Sequence, residues 1–170
     1  AGFICAAVNA VYGRQHGLPV HPLVLSRAEM DVLCEGRHYA WAKVALLRWI
    51  FAVKDDLDLA KSGAAKVLGD HLDSGVRSAL ATAGWIVWVD ADLMVVNHGR
   101  DLRTFLESDR DLVLGEDMAD LDWLNTGLVA CRTASPWARC IWARFWQEGD
   151  PAFHQDEFWD QSAICGCLAK

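Results

Sequence analysis

No basic stripe runs anywhere along this chain. Its 16 Lys and Arg stand against 23 Asp and Glu, a formal net charge of -7, which argues against a nucleic-acid partner and suits a site that collects divalent cations. No apolar run is long enough to span a bilayer, and no signal-peptide pattern is present. Internal repeats and low-complexity segments are also lacking. Only two of the six cysteines, Cys165 and Cys167, lie close together. A single C-x-C without a second pair is poor ground for zinc, so the thiols read as buried core groups, with a disulfide of unassigned connectivity as the alternative in an oxidising compartment. His16, His38, His98 and His154 show no metal-ligand spacing and read as ordinary side chains.

What is present is material for a core. At 170 residues, 53% of them hydrophobic, the chain is long enough for one domain with a sizeable interior. Nine Trp suit pockets with an apolar wall and a polar rim. The chain opens at Ala1 rather than Met, and is expected to be a piece of a longer protein. Residues 2–16 predict a helix with Phe3, Ile4, Ala7, Val8, Val11 and Tyr12 on one face and Gly17 as its stop. Residues 20–25, VHPLVL, predict a short strand. Residues 39–53, YAWAKVALLRWIFAV, are apolar nearly all round and predict a buried helix, on which Lys43 must either reach the edge or meet an anion. The polar, Gly-punctuated segment 54–84 predicts one or two short surface helices, with Asp70, His71 and Asp73 on a solvated face.

WIVWV, 85–89, predicts a strand buried on both faces. A helix over 101–108, a strand over 111–117 and a Gly-interrupted strand over 123–133 follow. Ser135 as N-cap and Pro136 at the first helical position then open a helix whose buried stripe is Trp137, Ile141, Trp142, Phe145 and Trp146. A last helix is expected over 156–168. Alternating helices and buried strands predict an α/β fold with a mainly parallel or mixed sheet.

The chemistry concentrates in WIVWVDADLMVV, 85–96. In an extended segment residues two apart face one side, so Asp90 and Asp92 are expected together at the carboxyl end of a strand, where open α/β sheets bind ligands. Two carboxylates in a small, partly desolvated site repel unless a cation holds both ionised. A hard divalent ion, Mg2+ or Mn2+, commonly sits between carboxylates and substrate phosphates. The alternative is an ordinary surface turn, which apolar sequence on both sides disfavours.

Together with VNAVYGRQHG (8–17), WAK (41–43), LNTGLVACR (124–132), SPW (135–137) and DQSAI (160–164), this stretch resembles the galactosyl-, mannosyl- and xylosyltransferases of glycosyltransferase family 34. The resemblance implies a GT-A sandwich, a mainly parallel or mixed sheet flanked by helices, incomplete at both ends and covering residues 1–170 with 54–84 as a helical surface insertion. It implies a retaining glycosyltransferase moving a hexose or pentose from a UDP- or GDP-sugar to an oligosaccharide or polysaccharide acceptor. Mn2+ or Mg2+ on the donor diphosphate would be held by Asp90 and Asp92. Donor contacts would come from Lys43, Asp90, Ala91, Asp92, Asn125 and Gly127, and Asp160 with Gln161 would face the anomeric carbon. The acids Glu116 and Asp117, on a strand-end loop, are expected to bind acceptor hydroxyls. The implied setting is the Golgi lumen, behind an N-terminal membrane anchor outside this chain. Two family features are missing from it, an earlier nucleoside-cradling strand and a metal-binding His near the carboxyl end.

For Lys43 the resemblance implies a reach to donor phosphates, with a structural salt bridge as the competing reading. For Asp160 the competing reading is a carboxylate complementing a helix N-terminus. At the level of function the alternatives are a Mg2+-dependent phosphatase of the haloacid-dehalogenase type, with Asp90 as nucleophile and Asp92 as general acid, and a non-catalytic paralogue that binds sugar nucleotides.

Overall fold

The central helix explains most of the architecture. From Trp41 to Leu47 every residue is buried, as the unbroken apolar pattern requires, and the only charged side chain among them is Lys43. The computed structural model describes residues 2–52, 63–106, 109–117, 123–149, 151–155 and 158–169. Among these, chain order runs α1 (Gly2–His16), α2 (Arg27–Cys34), a 3-10 turn (Tyr39–Trp41), α3 (Ala42–Ala52), α4 (Gly63–His71), α5 (Ser74–Thr82) and β1 (Trp85–Val89). Then come α6 (Arg103–Leu106), β2 (Leu112–Glu116), β3 (Leu124–Arg132), α7 (Pro136–Glu148), a second 3-10 turn (Pro151–His154) and α8 (Trp159–Leu168).

The expected GT-A sandwich is not what forms. The molecule is mostly helical, and its described strands make one open three-stranded sheet, order β1-β3-β2, with both pairings antiparallel. The link from Glu116 to Leu124 is too short for the crossover of a dozen or more residues that parallel neighbours need. β1 is half-buried along its whole length rather than covered on both faces. The apolar run alone could not distinguish these cases.

Local signals fared better. Ser135 Oγ accepts from Ala138 N at 3.1 Å and Pro136 opens α7, as its sequence predicts. Ala138, Ile141, Trp142, Phe145 and Trp146 form the buried stripe, with spacing i, i+3, i+4, i+7, i+8, so Ala138 replaces the expected Trp137, which is 43% exposed. Trp142 and Phe145 are fully buried against α3 and α8, each stabilising the fold by about 1.5–3 kcal/mol.

α1 forms as expected, but only part of the expected face is covered: Tyr12 is buried and Val8 half-buried, Phe3, Ile4, Ala7 and Val11 are exposed, and Cys5 and Gly13 are buried as well. The reason is polar docking. Asn9 donates to Leu93 O at 3.0 Å and accepts from Val95 N at 2.9 Å, and Tyr12 Oη bridges Arg100 O and Leu102 N. Gly17, at φ 65°, closes the helix with Leu18 N donating to Gly13 O at 2.8 Å. No strand forms over 20–25, where Pro22 has no N–H for a ladder.

Within 54–84, residues 54–62 lie outside the described residues. α4 and α5 are more than a surface insertion, since Leu68, Leu72 and Val76 join the core. α6 is shorter than its predicted span, of which 107–108 also lie outside. α8 starts at Trp159, after Phe158 at φ 63°, so the helix expected from 156 begins later; 156–157 are outside the described residues.

Candidate functional site

β3 carries the irregularity that builds the site. Leu114 pairs with Val129 but Gly115 pairs with Asn125, so Thr126, Gly127 and Leu128 bulge away from β2 while β1 stays paired through Val89↔Leu128. Asn125 Oδ1 accepts from Gly127 N at 2.8 Å, the side-chain-to-backbone turn expected of Asn. A Cβ on Gly127 would stand 2.9 Å from that oxygen, which is why a glycine fits there. The bulge turns Thr126 towards α3 and α8.

Lys43 meets its anion there. Its ammonium, 4% exposed as a residue, donates to Asp90 Oδ2 at 2.9 Å and to Thr126 O at 2.9 Å. Thr126 Oγ1 at 3.3 Å and Asp160 Oδ2 at 3.3 Å complete its surroundings. Thr126 Oγ1 donates to Asp160 Oδ2 at 3.0 Å, and Thr126 N donates to Gln161 Oε1 at 3.2 Å. Asp90 Oδ1 accepts from the Trp88 indole. Burial pushes the Asp160 carboxyl up from its ordinary value, the Asp90 charge adds to that, and Lys43 and Thr126 pull against it. One ammonium faces two carboxylates, so the cluster keeps a formal surplus of one negative charge when both are ionised.

The site residues inferred from sequence thus divide. Lys43, Asp90, Asn125, Gly127, Asp160 and Gln161 come together around Thr126. Ala91 and Asp92 are exposed on a tight turn closed by Leu93 N donating to Asp90 O at 3.0 Å. The chain leaves extended geometry at Asp90, so the alternation that put residues 90 and 92 on one face lapses. Glu116 is exposed at the end of β2, and Asp117 N donates to Trp123 O at 3.0 Å, both at the same end of the sheet. Thr126 and Trp88 escaped the sequence reading. Trp88 was within reach of it, since residues two apart on a strand share a face.

An aromatic pair stands at this end as well. Trp123, just before β3, and Phe158, just before α8, are 40% and 50% exposed, with ring centroids 5.9 Å apart. Phe158 and Trp159 have φ of 63° and 33°, left-handed values that cost non-glycine residues about 1–3 kcal/mol each.

Known family models, curated proteins and solved structures contain no match to this chain. The retaining glycosyltransferase reading is overturned: the small antiparallel sheet is not a GT-A sandwich. Among the described residues, moreover, no group of three or more His, Cys, Asp and Glu could hold a metal ion. The assignment as a glycosyltransferase enzyme falls with it. The membership of family 34 suggested by short motifs is likewise corrected, because the chain forms a mostly helical domain with a small, open three-stranded sheet.

Proposed function

We propose that the chain is a carbohydrate-binding module that takes a neutral oligosaccharide at the sheet end formed by the β1 turn, the start of β3 and the N-terminus of α8. The exposed Trp123–Phe158 pair beside a carboxylate-rich rim carries this reading. A sugar ring offers a C–H face that packs on an aromatic surface, and hydroxyls that donate to carboxylate and amide oxygens. Glu116 and Asp92 are exposed acceptors at this end, and Lys43 with Thr126 fixes the Asp90 and Asp160 carboxylates behind them. A net charge of -7 favours an uncharged ligand over a phosphorylated one. Mn2+ or Mg2+ enters the proposal as an auxiliary: Asp92 would hold it with water and ligand oxygens, since both Asp90 oxygens already have donors.

The test is isothermal titration with a panel of neutral oligosaccharides and UDP- and GDP-sugars, in EDTA and then in Mg2+ or Mn2+. Saturable binding of a neutral oligosaccharide is expected, weakened about tenfold or more by Trp123→Ala at unchanged melting temperature. Asp92→Asn should remove any enhancement by the cation. Binding of nucleotide sugars alone, or indifference to Trp123→Ala, overturns the reading.

A further inference from the structure

A cleft of about 440 Å³ is lined by Arg27, Asp31, Arg37, His38, Tyr39 and Gln155 beside the Gly36 turn. Its size falls within the usual range of small-ligand pockets, roughly 300–1,000 Å³. Its chemistry is the opposite of the acidic sheet end. Two guanidiniums face one carboxylate, a formal +1 in a chain of net -7. That carboxylate is engaged: Tyr39 Oη donates to Asp31 Oδ1 at 2.7 Å, and Arg27 hydrogen-bonds the same Tyr39.

The remaining donors are held in place. The Arg37 guanidinium lies 3.7 Å over the Trp146 ring and donates through Nη2 to Trp146 O at 3.3 Å. Arg37 Nε is buried with no hydrogen-bond partner among the described residues. The Arg48 guanidinium lies 5.4 Å from the centre of the Trp146 ring and adds positive charge, while Glu35 on the adjoining turn acts on Arg37 with the opposite sign. His38 is stacked flat on Trp159, centroids 4.0 Å apart, and its Nδ1 accepts from Ala40 N at 3.2 Å. A neutral ring that accepts at Nδ1 carries its proton on Nε2, so His38 is a donor there. Gln155 Nε2 donates to Gly36 O at 2.6 Å, tying the far wall to the turn.

We infer that this cleft binds a small oxyanion, the carboxylate or phosphate group of a low-molecular-weight ligand, through Arg27, Arg37 and His38 Nε2. Planar guanidinium donors match the oxygens of such groups.

The experiment titrates the full chain with inorganic phosphate and, separately, with citrate, each against chloride at matched ionic strength. Heat of binding and amide NMR shifts are the readouts. One saturable site is expected for at least one probe, with shifts at the 36–39 turn. Which probe binds tells phosphate from carboxylate. Arg27→Gln, an exposed position, should weaken it about tenfold, the loss of one charge-assisted hydrogen bond. Arg37→Gln should do the same if it folds, and Asp92→Asn at the other site should change nothing. Absence of saturable binding with both probes, or binding untouched by Arg27→Gln, overturns the inference.

Discussion

Lys43 shows how much one side chain organises. Its ammonium joins α3 to the end of β1 through Asp90, to the β3 bulge through Thr126 and to α8 through Asp160. Replacing it by Met leaves two carboxylates facing each other without a cation. Lys43→Met should cost about 3–5 kcal/mol, the usual penalty for removing one partner of a buried pair. Adding Asp160→Asn should recover part of it, read as the coupling term in a urea double-mutant cycle. Additive effects would deny the cluster its role. The pH dependence has a definite sign. Burial raises the Asp160 carboxyl above its ordinary 3.8, so the folded chain holds a proton that the unfolded chain releases. That contribution is complete below 3.8 and is lost as pH rises through the elevated folded value. Urea midpoints should therefore fall less steeply with rising pH above 3.8 in Asp160→Asn than in the parent; equal slopes would exclude Asp160 as the source.

Two helical glycines separate what an element needs from what its neighbours impose. Gly13 on α1 faces Val20 and the Leu18 carbonyl, where a Cβ would stand 2.7 Å from Leu18 O. Gly69 inside α4 has nothing within 4 Å of such a Cβ. Gly13→Ala should destabilise by about 1–3 kcal/mol through this crowding, whereas Gly69→Ala should stabilise by about 0.5–1 kcal/mol through lower unfolded-state entropy. Thermal melts compare them, and matching signs would reject the argument. Both residues sit in helix-forming sequence, and nothing local tells them apart. The same limit explains α1, where periodicity gave the helix and its stop while Asn9 and Tyr12, bonding to residues more than eighty positions away, chose the buried face.

For the molecule as a whole, the cysteines report how the interior is arranged. All six are free thiols; Cys34 and Cys131 are completely buried, and burial pushes them up to about 11 and about 12. The expectation of core thiols holds for these and for Cys5 and Cys167, but Cys140 is exposed and Cys165 half-buried. A thiol reagent at neutral pH should label Cys140 first in the native chain, with Cys34 and Cys131 reacting only on unfolding. Mass mapping of early adducts settles the order, and early labelling of Cys131 would contradict the β3 packing.

By itself the sequence determined the central buried helix, the Ser135–Pro136 start of α7, the stop at Gly17 and the need of Lys43 for an anion. These rest on signals that act within a turn or two of chain: periodicity, capping, and the cost of burying one charge. Only the tertiary structure decided that the strands pair antiparallel, that the chain turns at Asp90, and which carboxylates answer Lys43. The Lys43–Asp90 and Thr126–Asp160 bonds span 47 and 34 residues. Choosing among 23 acidic residues at such separations is done by packing of the whole core, on which local spacing has no hold.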